Sequence, residues 1–165
     1  MRTIDNINGL NKSEFLLIFG NVFEKTESVA LKVFDLKPFK DFDDIVSNML
    51  KIYEEYDRDK ILEILNSHPE LAIEKKLTID SKLEQTSANL NECSEEEFEE
   101  FKKLNLEYKT KFGFPFIIAV KGKNKNEILV NFRERIQNDL NKEFLEAKNQ
   151  VKKIASFRLK DILSF

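Results

Sequence analysis

Asn105-Leu106-Glu107-Tyr108-Lys109-Thr110-Lys111-Phe112-Gly113-Phe114-Pro115-Phe116-Ile117-Ile118-Ala119-Val120 reads as the end of one helix followed by an apolar run that is not helical. The helix opens upstream at Ser94-Glu95-Glu96-Glu97, a capping residue followed by acids where the helix dipole favours them. Phe98, Phe101, Leu104, Asn105 and Tyr108 continue one face to about Phe112, and Gly113 supplies a stop. The run from Phe114 to Val120 is too short to cross a membrane and too apolar for an exposed loop. Buried without helical bonds, its N–H and C=O groups need partners. A polar ring compound could supply them, and so could other backbone at a buried crossover.

Working outward, helical spacing recurs. Phe15, Ile18, Phe19, Val22 and Phe23 share a face, with Ser13 or Asn11 as the cap. Val29, Val33 and Phe34 suggest a short helix before Pro38. Phe42 to Tyr53 reads as a longer one with Asp41 near its start, and Ile61, Ile64 and Leu65 as another ending at Ser67-His68-Pro69. Pro69 to Asp80 is irregular. Ser81 and Glu84 then have capping-box spacing, which opens a helix at Ser81. Asn124 to Asn141 is helical, with Ile128, Leu129, Phe132, Arg135 and Ile136 on its pattern, and a last helix starts near Lys142. Four Gly and three Pro leave little turn chemistry for sheets. The expectation is an all-α, single-domain bundle over residues 1–165, with about eight helices.

Composition excludes several classes. The 27 Lys+Arg against 30 Asp+Glu give a net charge of −3, so a generic basic nucleic-acid binder is not expected. No stretch is long and apolar enough for a membrane span, and the residues from Met1 to Asn6 lack a signal-peptide core, so a cytoplasmic protein is expected. One Cys cannot form an internal disulfide, and one Cys with one His falls short of a standard zinc site. Any imidazole chemistry falls to His68.

Four features depart from plain helix packing. His68 stands beside a rigid proline, and its ordinary pKa suits proton transfer near neutrality; a surface or capping histidine is the plainer reading. Glu84 and Gln85 could orient a substrate beside helix-start N–H groups, or simply belong to a capping box. The Phe114–Val120 run is the third. Arg158 could clamp a carboxylate through two nitrogens, or make a surface ion pair.

Together these features carry a resemblance. His68-Pro69-Glu70-Leu71, Ser81-Lys82-Leu83-Glu84-Gln85, the run Phe101 to Phe116 with Asn105-x-x-Tyr108-x-x-Lys111-Phe112-Gly113-Phe114-Pro115-Phe116, and Arg158-Leu159 follow one family pattern. Leu10-Asn11, Glu14-Phe15, Phe23-Glu24 and Lys37-Pro38-Phe39 extend it towards the N-terminus. The chain resembles the 2-oxo-4-hydroxy-4-carboxy-5-ureidoimidazoline (OHCU) decarboxylases of urate breakdown. The resemblance implies an all-α homodimer that converts OHCU to (S)-allantoin and CO2 with neither metal nor organic cofactor. It implies His68 as the catalytic histidine, Glu84 as its carboxylate partner and Arg158 as the substrate-positioning arginine. Pro69, Ser81, Lys82, Leu83, Gln85 and the run Phe116, Ile117, Ile118, Ala119, Val120 fall where the family binds the ring. Three departures stand out. The family carries a longer segment where Ile73-Glu74-Lys75-Lys76 leads directly to Leu77-Thr78, and Thr26-Glu27-Ser28 and Ala88-Asn89-Leu90 replace its Ser-Pro-Trp and Ala-Gly-Leu. A non-catalytic helical binding protein, or an enzyme acting on another ureido or hydantoin compound, are the competing readings.

Overall fold

Capping chemistry decides where most helices begin. Thr3 caps α1 (Ile4–Gly9), Asn11 caps α2 (Lys12–Phe19) and Asp41 caps α4 (Phe42–Glu54), each side chain accepting from the third backbone N–H beyond it. Between them lies α3 (Ser28–Phe34), and α5 (Arg58–Ser67) follows. Thr78 opens α6 (Ile79–Ser87), Ser94 opens α7 (Glu95–Phe112) and Asn124 opens α8 (Lys125–Arg135). The last helix, α9 (Leu140–Leu163), starts behind Asp139, whose Oδ1 accepts from Lys142 N at 2.9 Å. The computed structural model describes residues 2–72 and 77–164. All regular structure among them is helical, as expected, with nine helices against about eight. The Ile73–Lys76 loop singled out above lies outside the described residues.

The described residues form two compact units. Unit 1 holds residues 1–67 and 152–165, so it contains α1 to α5 and the second part of α9. Unit 2 runs from His68 to Val151 and contains α6, α7, α8 and the first part of α9.

In unit 1, α2 packs on α3 and α3 on α4. The Phe15 ring lies 4.5 Å from Phe19 and 5.6 Å from Phe34, and Phe23 stacks on Tyr53 at 4.7 Å. Phe15, Phe19 and Phe23 are fully buried, and each such ring is worth about 1.5–3 kcal/mol. Asn8 brackets Phe39, donating to its carbonyl at 2.9 Å and accepting from its N–H at 2.8 Å. Two expectations shift here. Asn11 rather than Ser13 caps α2, because a full capping box with Glu14 forms one turn earlier. The helix also stops at Phe19, so Val22 and Phe23 reach the core from a turn. A Cβ at Gly20 would meet the Leu16 carbonyl, which makes glycine the residue for that stop.

In unit 2, α7 packs on α8 and ends as expected at Gly113, whose φ of 79° places it in the left-handed region. Nothing lies near its would-be Cβ, so the requirement is conformational. Beyond it, Phe114 to Val120 has no regular structure and is buried throughout.

Candidate active site

Two elements of unit 2 bear the expected site. The first is the turn after α5. His68 is the first residue past that helix, as the following proline requires, and it is buried, 8% exposed. It is therefore not a surface histidine. The backbone after it is held residue by residue. Gln85 Nε2 donates to Glu70 O at 3.2 Å, Asn105 Nδ2 donates to Leu71 O at 3.0 Å, and Ala72 N donates to Gln85 Oε1 at 3.1 Å. Ala72 adopts a φ of 52°, a left-handed conformation unusual for a residue with a Cβ, and its N–H is the one Gln85 takes. Side chains from α6 and α7 thus clamp the three residues that follow His68-Pro69.

The clamp changes the reading of α6. Gln85, expected against the ring, commits one donor and one acceptor of its amide to the His68 turn. Ser81, expected as the N-cap, lies inside the helix instead. Thr78 precedes it by three residues, offers the same hydroxyl, and accepts from Ser81 N at 3.2 Å. The N–H of Lys82 accordingly goes to Thr78 O at 2.9 Å and is no open helix-start donor. Ser81 and Gln85, one turn apart, are buried; Glu84 is half-buried; Lys82 and Leu83 are exposed, Leu83 by 65%. Of the five expected contact residues on α6, two therefore face solvent.

The second element is the Phe116–Val120 run; Val120 O accepts from Lys123 N at 2.9 Å, and two further backbone groups are met by side chains. Arg135 Nη1 donates to Ile117 O at 2.7 Å, and Ala119 N donates to Gln150 Oε1 at 2.9 Å. The Phe116 ring stacks on Phe132 at 3.9 Å and 9° and carries the Arg135 guanidinium 4.4 Å from its centroid. Arg135 is in turn held by fully buried Glu143, with Nε to Oε1 at 2.7 Å. Tyr108 donates to the same oxygen at 2.6 Å, and Asn138 donates to Oε2 at 3.0 Å. Burial, then the hydrogen bond and charge of Glu143, push the Tyr108 phenol far above its ordinary range. Sequence reasoning put Arg135 on the apolar pattern of its helix without a role and passed over Glu143 and Gln150. A charged residue in register with Phe132 was the available signal.

Arg158 belongs to unit 1. It is buried there, with Nη2 2.8 Å from Glu24 Oε2 and Nη1 donating to Asn21 O at 2.8 Å. Glu24 is fully buried, so this is an interior ion pair, not the surface pair considered above. Among the described residues no group of three His, Cys, Asp or Glu side chains is placed to hold a metal ion, and no helix is long and apolar enough to cross a membrane. Cys93 is a free thiol that donates to Leu90 O at 3.3 Å.

An all-helical chain with a buried, clamped histidine turn and a braced apolar run belongs to a fold seen before. The crystal structure of an (S)-allantoin synthase superimposes with a TM-score of 0.78 at 25% identity, over 98% of this chain and 54% of that one. The family model described as OHCU decarboxylase matches residues 8–160. A uric acid degradation bifunctional protein of Bacillus sp. (strain TB-90) is 38% identical over 98% of this chain and 32% of its own length. The OHCU decarboxylase of Haloferax volcanii is 34% identical over 98% of this chain and 96% of its own. The chain belongs to the OHCU decarboxylase family, and it spans about a third of the length of the Bacillus relative, 32%.

Proposed function

We propose that the chain decarboxylates OHCU to (S)-allantoin and CO2 in urate breakdown, as a carboxy-lyase that uses no cofactor. The observation that carries this reading is the sole histidine, buried beside Pro69 with the next three residues clamped by Gln85 and Asn105. A solvated histidine would need no such turn. The family relationship supports the substrate, because the Haloferax relative is named for it and the Bacillus relative for uric acid degradation.

The chemistry suits a protein without an electron sink. The substrate carries a carboxylate and a hydroxyl on one carbon, next to a C=N bond. When the C–CO2 bond breaks, its electron pair forms a C=C bond and the C=N pair moves onto nitrogen, which takes a proton. The resulting enol loses its hydroxyl proton as the neighbouring carbon gains one, which gives the carbonyl and the new stereocentre. The protein supplies orientation and proton traffic. His68 exchanges a proton with the hydroxyl or with the developing product, and Glu84 is its carboxylate partner. Such help is worth about 10²- to 10⁴-fold. Arg158 holds an acidic or carbonyl group. Pro69, the buried α6 residues Ser81 and Gln85 and the backbone of Phe116 to Val120 receive the ring. A cytoplasmic homodimer completes the proposal, the dimer on the family resemblance and the compartment on the unpaired Cys93.

The test generates OHCU in situ from urate with urate oxidase and hydroxyisourate hydrolase, and follows chiral allantoin by circular dichroism. The expected result is rapid formation of one enantiomer, and a loss of about 10²-fold or more in His68→Asn with the fold retained. Decay no faster than the spontaneous racemic reaction rejects the function. Full activity in His68→Asn rejects the histidine's role alone.

A further inference from the structure

We infer that Arg135 and Gln150 are positioning residues that set the register of the ring-binding backbone from behind; the inference rests on the decarboxylase reading and assigns that site its supports. Arg135 takes the carbonyl of Ile117 and Gln150 takes the N–H of Ala119, so α8 and α9 grip residues two apart. Within a trans peptide group the C=O and N–H point opposite ways, so where the chain is extended the N–H and C=O of one residue point to one side and those of the next to the other. The pair thereby presents the N–H and C=O of Ile118 away from the two helices, as one donor and one acceptor for a ureido or ring amide. Both supports are themselves fixed. Glu143, Tyr108 and Asn138 hold Arg135 in place, and Glu146 Oε1 accepts from Gln150 Nε2 at 2.7 Å. A buried ion pair is a poor device for stability, since apolar residues of the same volume serve as well, whereas a guanidinium locked on a carboxylate has one position.

The Gln150→Leu variant tests this. It removes the acceptor for Ala119 N, while the paired exchange Glu146→Gln with Gln150→Glu keeps that acceptor and restores the contact between the two side chains. We expect Gln150→Leu to raise KM for OHCU by about tenfold with a much smaller change in kcat, and the paired exchange to return KM to within about threefold of the parent. An unchanged KM, or equal losses in both variants, overturns the inference. Amide exchange in the unmodified protein gives a reading independent of any variant's folding. Ala119 N–H should exchange more slowly than Ile118 N–H, and added (S)-allantoin should slow Ile118. Equal rates in the free protein remove the grip, and an Ile118 rate indifferent to (S)-allantoin removes the presentation. If the unmodified protein fails to convert OHCU, the decarboxylase reading falls and the positioning role given to the two supports falls with it, whereas a failed grip in an active enzyme refutes the supports alone.

Discussion

Arg158 and Glu24 show how much one buried pair decides. Each is removed from water, Glu24 fully, and their 2.8 Å contact offsets the cost of burying both charges. Truncating either leaves the other charged and enclosed, so Arg158→Ala and Glu24→Ala should each cost about 3–5 kcal/mol. In thermal unfolding that is a fall of roughly 10 °C. A loss of activity in Arg158→Ala therefore has to be read at a temperature where the variant is folded. The residue scale is also where the sequence was least explicit. His68 and Pro69 were legible because a histidine before proline must leave the helix. Gln85 was expected to meet the ring, but its two bonds to the His68 turn were not legible, since they depend on a contact thirteen to fifteen residues away. Gln150 was invisible for a like reason: its partner, Ala119 N, is 31 residues distant.

Helix boundaries depend on competition between nearby caps, and α6 is the instructive case. Thr78 and Ser81 both carry hydroxyls, and spacing favours Ser81 because Glu84 stands three residues beyond it. Thr78 wins, and one extra turn fits Ile79 and Asp80 into the helix. Thr78→Ala should lower stability by about 1 kcal/mol, seen as a lower urea midpoint at unchanged slope. An equal effect from a Thr78→Ser replacement would contradict this, because serine keeps the accepting oxygen. The helix α1 was missed altogether, being six residues with one buried apolar side chain, Ile7, too short for any period to register. By contrast α7, with its capping box and its left-handed glycine, was legible at both ends.

At the scale of the whole molecule, each unit carries one buried tyrosine with a raised pKa. Burial and then the charge of Glu54 raise Tyr53 in unit 1; burial and then Glu143 raise Tyr108 in unit 2. A group whose folded pKa lies above its unfolded value of 10.0 contributes fully below that value and loses its contribution as pH rises beyond it. Stability should thus hold to about pH 10 and then fall by about 1.4 kcal/mol per pH unit for each of the two tyrosines. Urea unfolding across that range measures the slope, and Tyr53→Phe should roughly halve the part due to tyrosine. The all-α class was plain in the scarcity of Gly and Pro and in the recurrent spacing. The two units left no mark in composition: one boundary, at His68, is simply a helix end, and the other, at Lys152, falls inside α9.

That second boundary has a consequence for synthesis. Unit 2 is contiguous, so a ribosome delivers all of it in one stretch, whereas unit 1 lacks its last helical segment until residues 152–163 are made. Asn21 meets Arg158 only 137 residues later, and Glu24 belongs to the same late pair. At about 5–20 residues per second, Glu24 is in place roughly 7–30 s before Arg158 is made. Unit 1, although begun first, is therefore the unit that is completed last.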